Sequence, residues 1–109
     1  MTEIGELEGK KVVLTAHAIE RLVERMAKLN KGQVPKEPEK IALKMFPQTE
    51  EEMLPPLGRL RRLLNHKGED ARYFIYEGWR FVLVERADHY DVVTIERDMF
   101  AFQKDHSPA

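Results

Sequence analysis

The residue types that could do chemistry in this chain are a histidine and a set of arginines. His17 and Arg21 stand four residues apart, with Arg25 four further on, and Arg72, Arg80 and Arg97 follow in the second half. Histidine can take or give a proton near neutral pH, and arginine presents a planar fork that fits phosphate oxygens. Together they suit metal-free cleavage of RNA. That reaction needs a base for the 2′-hydroxyl, cations for the charge on the phosphorane and an acid for the leaving oxygen. On this reading His17 is the acid or base, and Arg21, Arg72 and Arg80 are the phosphate donors. Each also has a plainer role open to it. His17 can be a water-exposed helix-start residue, and the strand arginines can pair across strands with Glu77, Glu85, Asp91 or Glu96.

A second basic group runs through Arg59, Arg61, Arg62, His66 and Lys67, with no acidic residue between Met53 and Gly68. With Arg25 and Arg97 it is the candidate nucleic-acid or anion-binding surface, or else a solvated helix face. Metal chemistry is not expected. The four histidines match no ligand spacing and the chain has no cysteine, so thiolate sites and disulfides are excluded. No Walker loop, G-x-G-x-x-G, G-x-S-x-G or His-Glu-x-x-His is present, and no cofactor is expected. Eighteen Lys and Arg against nineteen Asp and Glu give a formal charge of −1. Phosphate-driven binding normally brings a basic excess, so a nucleic-acid role would rest on a local patch.

The elements that must position these residues follow from periodicity. Thr15 is a helix N-cap, and Ile19, Leu22, Val23, Met26 and Leu29 make an apolar stripe, leaving His17, Arg21, Glu24 and Lys28 opposite. Lys10–Thr15 reads as a short strand feeding that helix. Gly32 suits the left-handed position that stops it. A second helix is predicted from Pro38 to about Phe46, and Thr49–Glu52 matches a capping box for a short acidic turn. A third helix is predicted from Leu57 to about Asn65. Ala71–Tyr76, Trp79–Arg86 and Tyr90–Arg97 read as an antiparallel meander, the first two joined by Glu77-Gly78 as a tight hairpin. Met99–Gln103 offers a further edge segment. One domain over 1–109 is expected, with loose ends at 1–9 and 104–109. The fold class is α+β: a short strand, then two to three helices on a three- to four-stranded antiparallel sheet.

The run His17-Ala18-x-x-Arg21-x-x-x-Arg25, followed by strands ending in Val92-Val93-Thr94-Ile95, resembles a family of small bacterial and prophage domains. These open with His-Ala-x-x-Arg-x-x-x-Arg and close on a Val-Thr-Val/Ile strand, and are related to the RelE/ParE/BrnT toxin superfamily. The resemblance spans Lys11–Arg97 and implies N-terminal helices on a twisted antiparallel sheet, a RelE-like arrangement. Two departures are a longer Thr49–Lys67 link, and Phe100 and Phe102 where RNA-cleaving relatives often place a tyrosine or histidine. The function it implies is that of a toxin-like, metal-independent endoribonuclease. The rival is a non-catalytic phage or mobile-element protein that binds and inhibits a host nucleic-acid-processing enzyme; acidic Glu3–Glu8 and Glu50–Glu52 suit it. Expected partners are RNA, or a host or antitoxin protein. Tyr73, Trp79 and Phe81 read as core or as the interface of a homodimer. No apolar run is long enough to span a membrane, so a cytoplasmic location is expected.

Overall fold

A computed structural model describes residues 2–53 and 71–98. The predicted third helix, with Arg59, Arg61, Arg62, His66 and Lys67, lies outside the described residues, as do Met99–Gln103 and the expected loose end at 104–109. The fold is α+β. In chain order the elements are β1 (Thr2–Leu7), β2 (Lys10–Leu14), α1 (Ala16–Leu29), α2 (Pro38–Met45), a 3₁₀ turn over Phe46–Gln48, β3 (Glu50–Glu51), β4 (Ala71–Tyr76), β5 (Trp79–Glu85) and β6 (His89–Arg97).

The meander of β4, β5 and β6 is present as expected, but the sheet is larger and mixed. Its order is β1-β2-β6-β5-β4-β3, six strands where three to four were expected. Strand β2 runs parallel to β6, Lys11 opposite His89 and Leu14 opposite Val92. A parallel pair needs a long crossover, and the chain from α1 to β5 supplies it. The residues expected to be a loose lead-in form β1, antiparallel to β2. Glu8 (φ 53°) and Gly9 (φ 82°) make the turn between them, both positive as a type I′ hairpin requires. Glu77 (φ 46°) and Gly78 (φ 85°) repeat it between β4 and β5. The capping box at Thr49 is not used. The Thr49 hydroxyl donates back to the Phe46 carbonyl at 2.7 Å, and Glu50 and Glu51 pair with Ile75 and Phe74.

Thr15 acts as the expected N-cap. Its Oγ1 accepts from the Ala18 N–H at 3.2 Å and donates to the Val92 carbonyl at 2.7 Å, so one hydroxyl starts α1 and ties it to β6. At the other end the left-handed turn begins one residue earlier than expected, at Lys31 (φ 54°) before Gly32 (φ 91°). The Gly32 N–H reaches the Ala27 carbonyl at 2.6 Å, the 6→1 bond that closes a helix C-terminus.

Both helices cover one face of the sheet. Ala18 and Leu22 of α1 and Ala42 and Met45 of α2 pack with Val12, Leu14, Phe81, Leu83, Val92 and Ile95. Leu29 is a correction: expected on the apolar stripe, it is 53% exposed. Phe46 sits between Phe74 and Phe81 at ring separations of 5.7 and 5.6 Å. Such pairs contribute about 0.5–1.5 kcal/mol each beyond the area they bury. Two register shifts aim side chains inward. Between Glu3 and Gly5 the extra residue is Ile4, fully buried in the core. Val93 is the extra residue opposite Val82 and Leu83, which keeps Val92 and Ile95 on the same face. The opposite sheet face is buried as well, at Tyr73, Ile75, Val82 and Val84.

Candidate functional site

Helix α1 places His17 and Arg21 together on its outer, solvent side. Nε of Arg21 approaches His17 Nε2 at 3.4 Å, Arg21 Nη1 binds Glu24 at 2.8 Å, and Arg25 Nη1 donates to the Arg21 carbonyl at 3.4 Å. On the other side of the ring His17 Nδ1 is 4.0 Å from Glu20. The His17 side chain is 53% exposed. Exposed i,i+3 and i,i+4 contacts of this kind contribute about 0–1 kcal/mol.

The strand arginines are held elsewhere and are not free. Arg72 stands at the start of β4 on the helix-covered face, where its guanidinium grips Glu51 of β3 with both arms at 2.8 and 2.7 Å. Nη1 donates to Glu8 in the first hairpin turn at 2.9 Å and to the Tyr90 hydroxyl at 3.1 Å. The hydrogen bonds to Glu51, ahead of those to Glu8, push Arg72 above its ordinary value. In return Arg72 holds the Glu8 carboxyl below its own. Lys10 extends the group: it binds Glu85 at 2.7 Å and the Arg86 carbonyl at 3.1 Å. At the centre is Tyr90, its ring buried and its hydroxyl within reach of Arg72, Glu8 and Glu85. Burial raises the Tyr90 hydroxyl above its ordinary value, so it stays protonated and serves as a donor.

Arg80 lies on the opposite face of β5, alternating with the core residues Trp79 and Phe81. Its side chain is 7% exposed. Nε and Nη2 bind the two oxygens of Glu52 at 3.1 Å each, while Nη1 binds Asp98 at 2.7 Å and Glu96 at 3.3 Å. Burial alone would lower Arg80; the bonds from Glu52 and Asp98 outweigh it and hold the guanidinium charged. All three nitrogens of the guanidinium are thus engaged by carboxylates, which leaves Arg80 committed within the fold. Arg97 donates to the Glu77 carbonyl at 2.7 Å and stacks over Trp79 at 5.1 Å.

Known families, curated proteins and solved structures give no match to this chain.

Of the four residues assigned to catalysis, then, the structure brings together only His17 and Arg21. Arg72 and Arg80 occupy opposite faces of the sheet, each inside its own carboxylate group. Arg25 adjoins the α1 pair; Arg97 is apart from it. Glu8 and Glu51 belong to the acidic segments noted in the sequence, but their pairing with Arg72, and the part played by Tyr90, are not legible there because the partners come from strands far away in the chain. Among the described residues no group of three His, Cys, Asp or Glu could hold a metal ion, and no helix is long and apolar enough to cross a membrane.

Proposed function

We propose that this protein acts by binding and not by catalysis, as a RelE-like scaffold of the phage or mobile-element kind that occupies and inhibits a host nucleic-acid-processing enzyme. The observation that carries this reading is the commitment of Arg72 and Arg80. A phosphorane needs arginine N–H groups with charge to spare, and these two are spent on Glu51 and Glu8 and on Glu52, Glu96 and Asp98. Two helices on one face of a sheet with an antiparallel meander support the RelE-like part of the reading.

A second reading keeps one specific observation in its favour. His17 Nε2 and Arg21 Nε are 3.4 Å apart, which sets a proton acceptor beside a phosphate donor, as an endoribonuclease would need. Incubating the protein with labelled RNAs in EDTA decides between them. The binding reading expects intact RNA from wild type, from His17→Ala and from Arg21→Ala. Cleavage by wild type that His17→Ala abolishes, with the fold retained by circular dichroism, overturns it in favour of the enzyme.

A further inference from the structure

The charge of the molecule is unevenly placed. Between positions 28 and 44 there are five lysines and two glutamates, a formal +3, so the rest of the −1 chain carries −4. This segment is the end of α1, the connector and α2. Among the described residues only Lys40 of those lysines holds a carboxylate partner, Glu37 at 3.2 Å.

Three large apolar side chains are exposed in the same stretch: Leu29 (53%), Val34 (60%) and Leu43 (47%). They come from three successive segments of the chain: α1, the connector and α2. Leu29 closes α1, Val34 lies in the connector, and Leu43 stands between Lys40 and Lys44 on the outer side of α2. Leu29 and Val34 are five residues apart, at most about 17 Å, and Val34 and Leu43 are joined by four residues of connector and part of α2, at most about 21 Å, so each neighbouring pair is within the reach of one helix of about 27 Å. Apolar anchors interspersed with an excess of cations form a surface whose complement carries apolar residues flanked by carboxylates.

We propose that the α1–α2 end is a docking surface for an acidic amphipathic segment of a partner protein, with Leu29, Val34 and Leu43 taking its apolar stripe and the lysines its carboxylates. This rests on the binding reading above and names the partner's chemistry. A lipid surface fits less well. The patch has no aromatic residue, includes Glu37 and Glu39, and belongs to a molecule whose remaining −4 an anionic membrane would repel. RNA would leave the aliphatic anchors unused.

The test is fluorescence anisotropy with the whole protein and a labelled synthetic peptide of about 18 residues, roughly five helical turns. The peptide carries leucines at i, i+3, i+4, i+7 spacing and glutamates elsewhere. Comparison ligands are a scrambled version, a version with lysine for glutamate, phosphatidylserine-containing vesicles and a single-stranded RNA. The acidic amphipathic peptide should bind and the scrambled and lysine versions should not. Leu29→Ser with Leu43→Ser should weaken binding at least tenfold. Lys40→Glu with Lys44→Glu should lose the acidic peptide and gain the lysine one. Equal binding of the scrambled peptide, no binding of the acidic one, or a preference for vesicles or RNA overturns the proposal. RNA cleavage in EDTA beside intact peptide binding would remove only the non-catalytic reading; loss of peptide binding with RNA left intact would remove only this surface.

Discussion

Tyr90 donates its hydroxyl to the carboxylate of Glu8 at 3.2 Å across 82 positions of sequence, and Arg72 Nη1 bonds to both groups. Turn, strand start and sheet edge are thereby joined at one point: Glu8 belongs to the first hairpin, Arg72 to β4, and Glu51, on the other side of the guanidinium, to the outermost strand.

Tyr90→Phe should remove the shared hydroxyl while leaving the Arg72–Glu51 fork in place, at a cost of about 0.5–1.5 kcal/mol. Arg72→Ala should cost more, about 2 kcal/mol, because it leaves the half-buried Glu51 carboxylate without its two-armed partner. Urea denaturation followed by tryptophan fluorescence measures both, since Trp79 is buried in the core. Equal losses would mean that the hydroxyl and not the guanidinium holds the group together.

Arg80→Ala should be the most damaging of the single changes, by about 3–5 kcal/mol, since it removes the buried guanidinium that Glu52, Glu96 and Asp98 share. Arg80→Lys should recover part of the loss, keeping the charge but not the two-armed hold on Glu52. Thermal unfolding of the two variants against wild type gives the order. A stable, folded Arg80→Ala protein would contradict the structural role given to this residue.

His89 lies between Asp88 (Nδ1, 2.7 Å) and Asp91 (Nε2, 2.9 Å). The bond to Asp88, with Asp91 adding to it, raises His89 above its ordinary 6.5. A raised value in the folded state means stabilisation that is full below 6.5 and is lost as pH climbs through the folded value. Glu8, Glu85 and Asp88 are lowered, chiefly by hydrogen bonds to Arg72, Lys10 and His89 in turn. Their contribution is present above the ordinary carboxylate range and is lost as pH falls. Urea midpoints across pH should therefore decline on both sides of a plateau. His89→Gln should flatten the decline above neutrality and remove the Asp88 share of the acid arm, leaving the shares of Glu8 and Glu85.

Two hairpins with the same Glu-Gly turn permit a paired comparison. An added Cβ meets nothing within 4 Å at Gly9, so Gly9→Ala should cost only the left-handed backbone penalty, about 1–2 kcal/mol. At Gly78 the Cβ would sit 2.7 Å from Arg97 Nη1, which must swing off Trp79. Gly78→Ala should cost about 0.5–1 kcal/mol more, the usual strength of an exposed cation–π contact. Asparagine at either site should cost less than alanine, because its side chain tolerates that backbone region. Differential scanning calorimetry of the four variants checks the order.

Those same two turns show what could be read from the chain alone. Glu77-Gly78 was legible because it lies between aromatic and β-branched runs; Glu8-Gly9 was not, although its backbone is alike. Its flanking strand reads Thr-Glu-Ile-Gly-Glu-Leu, poor in strand formers, and the bulge at Ile4 breaks the alternation that betrays a strand. Helix α1, its Thr15 cap and the proline start of α2 were local signals and could be read directly. The candidate site was harder. Residue type and helical spacing placed His17 beside Arg21, but the use made of an arginine depends on which carboxylates the sheet delivers to it. Arg72 meets Glu8 and Glu51 only because β1, β3, β4 and β6 converge. Of the cross-strand pairs open to the strand arginines, Arg80–Glu96 is present, at 3.3 Å, and it is the longest of that arginine's contacts.

The parallel pairing of β2 with β6 has a bearing on synthesis. Lys11 waits for His89, and at ribosomal speeds of about 5–20 residues per second the first hairpin emerges on the order of 4–16 s before its neighbour exists. During that interval β2 offers an open backbone edge and Val12 and Leu14 have no cover. The nascent chain is thus most prone to mispairing before β6 is made, and a message cut short ahead of β6 would yield a product with a permanently unsealed, sticky β-edge.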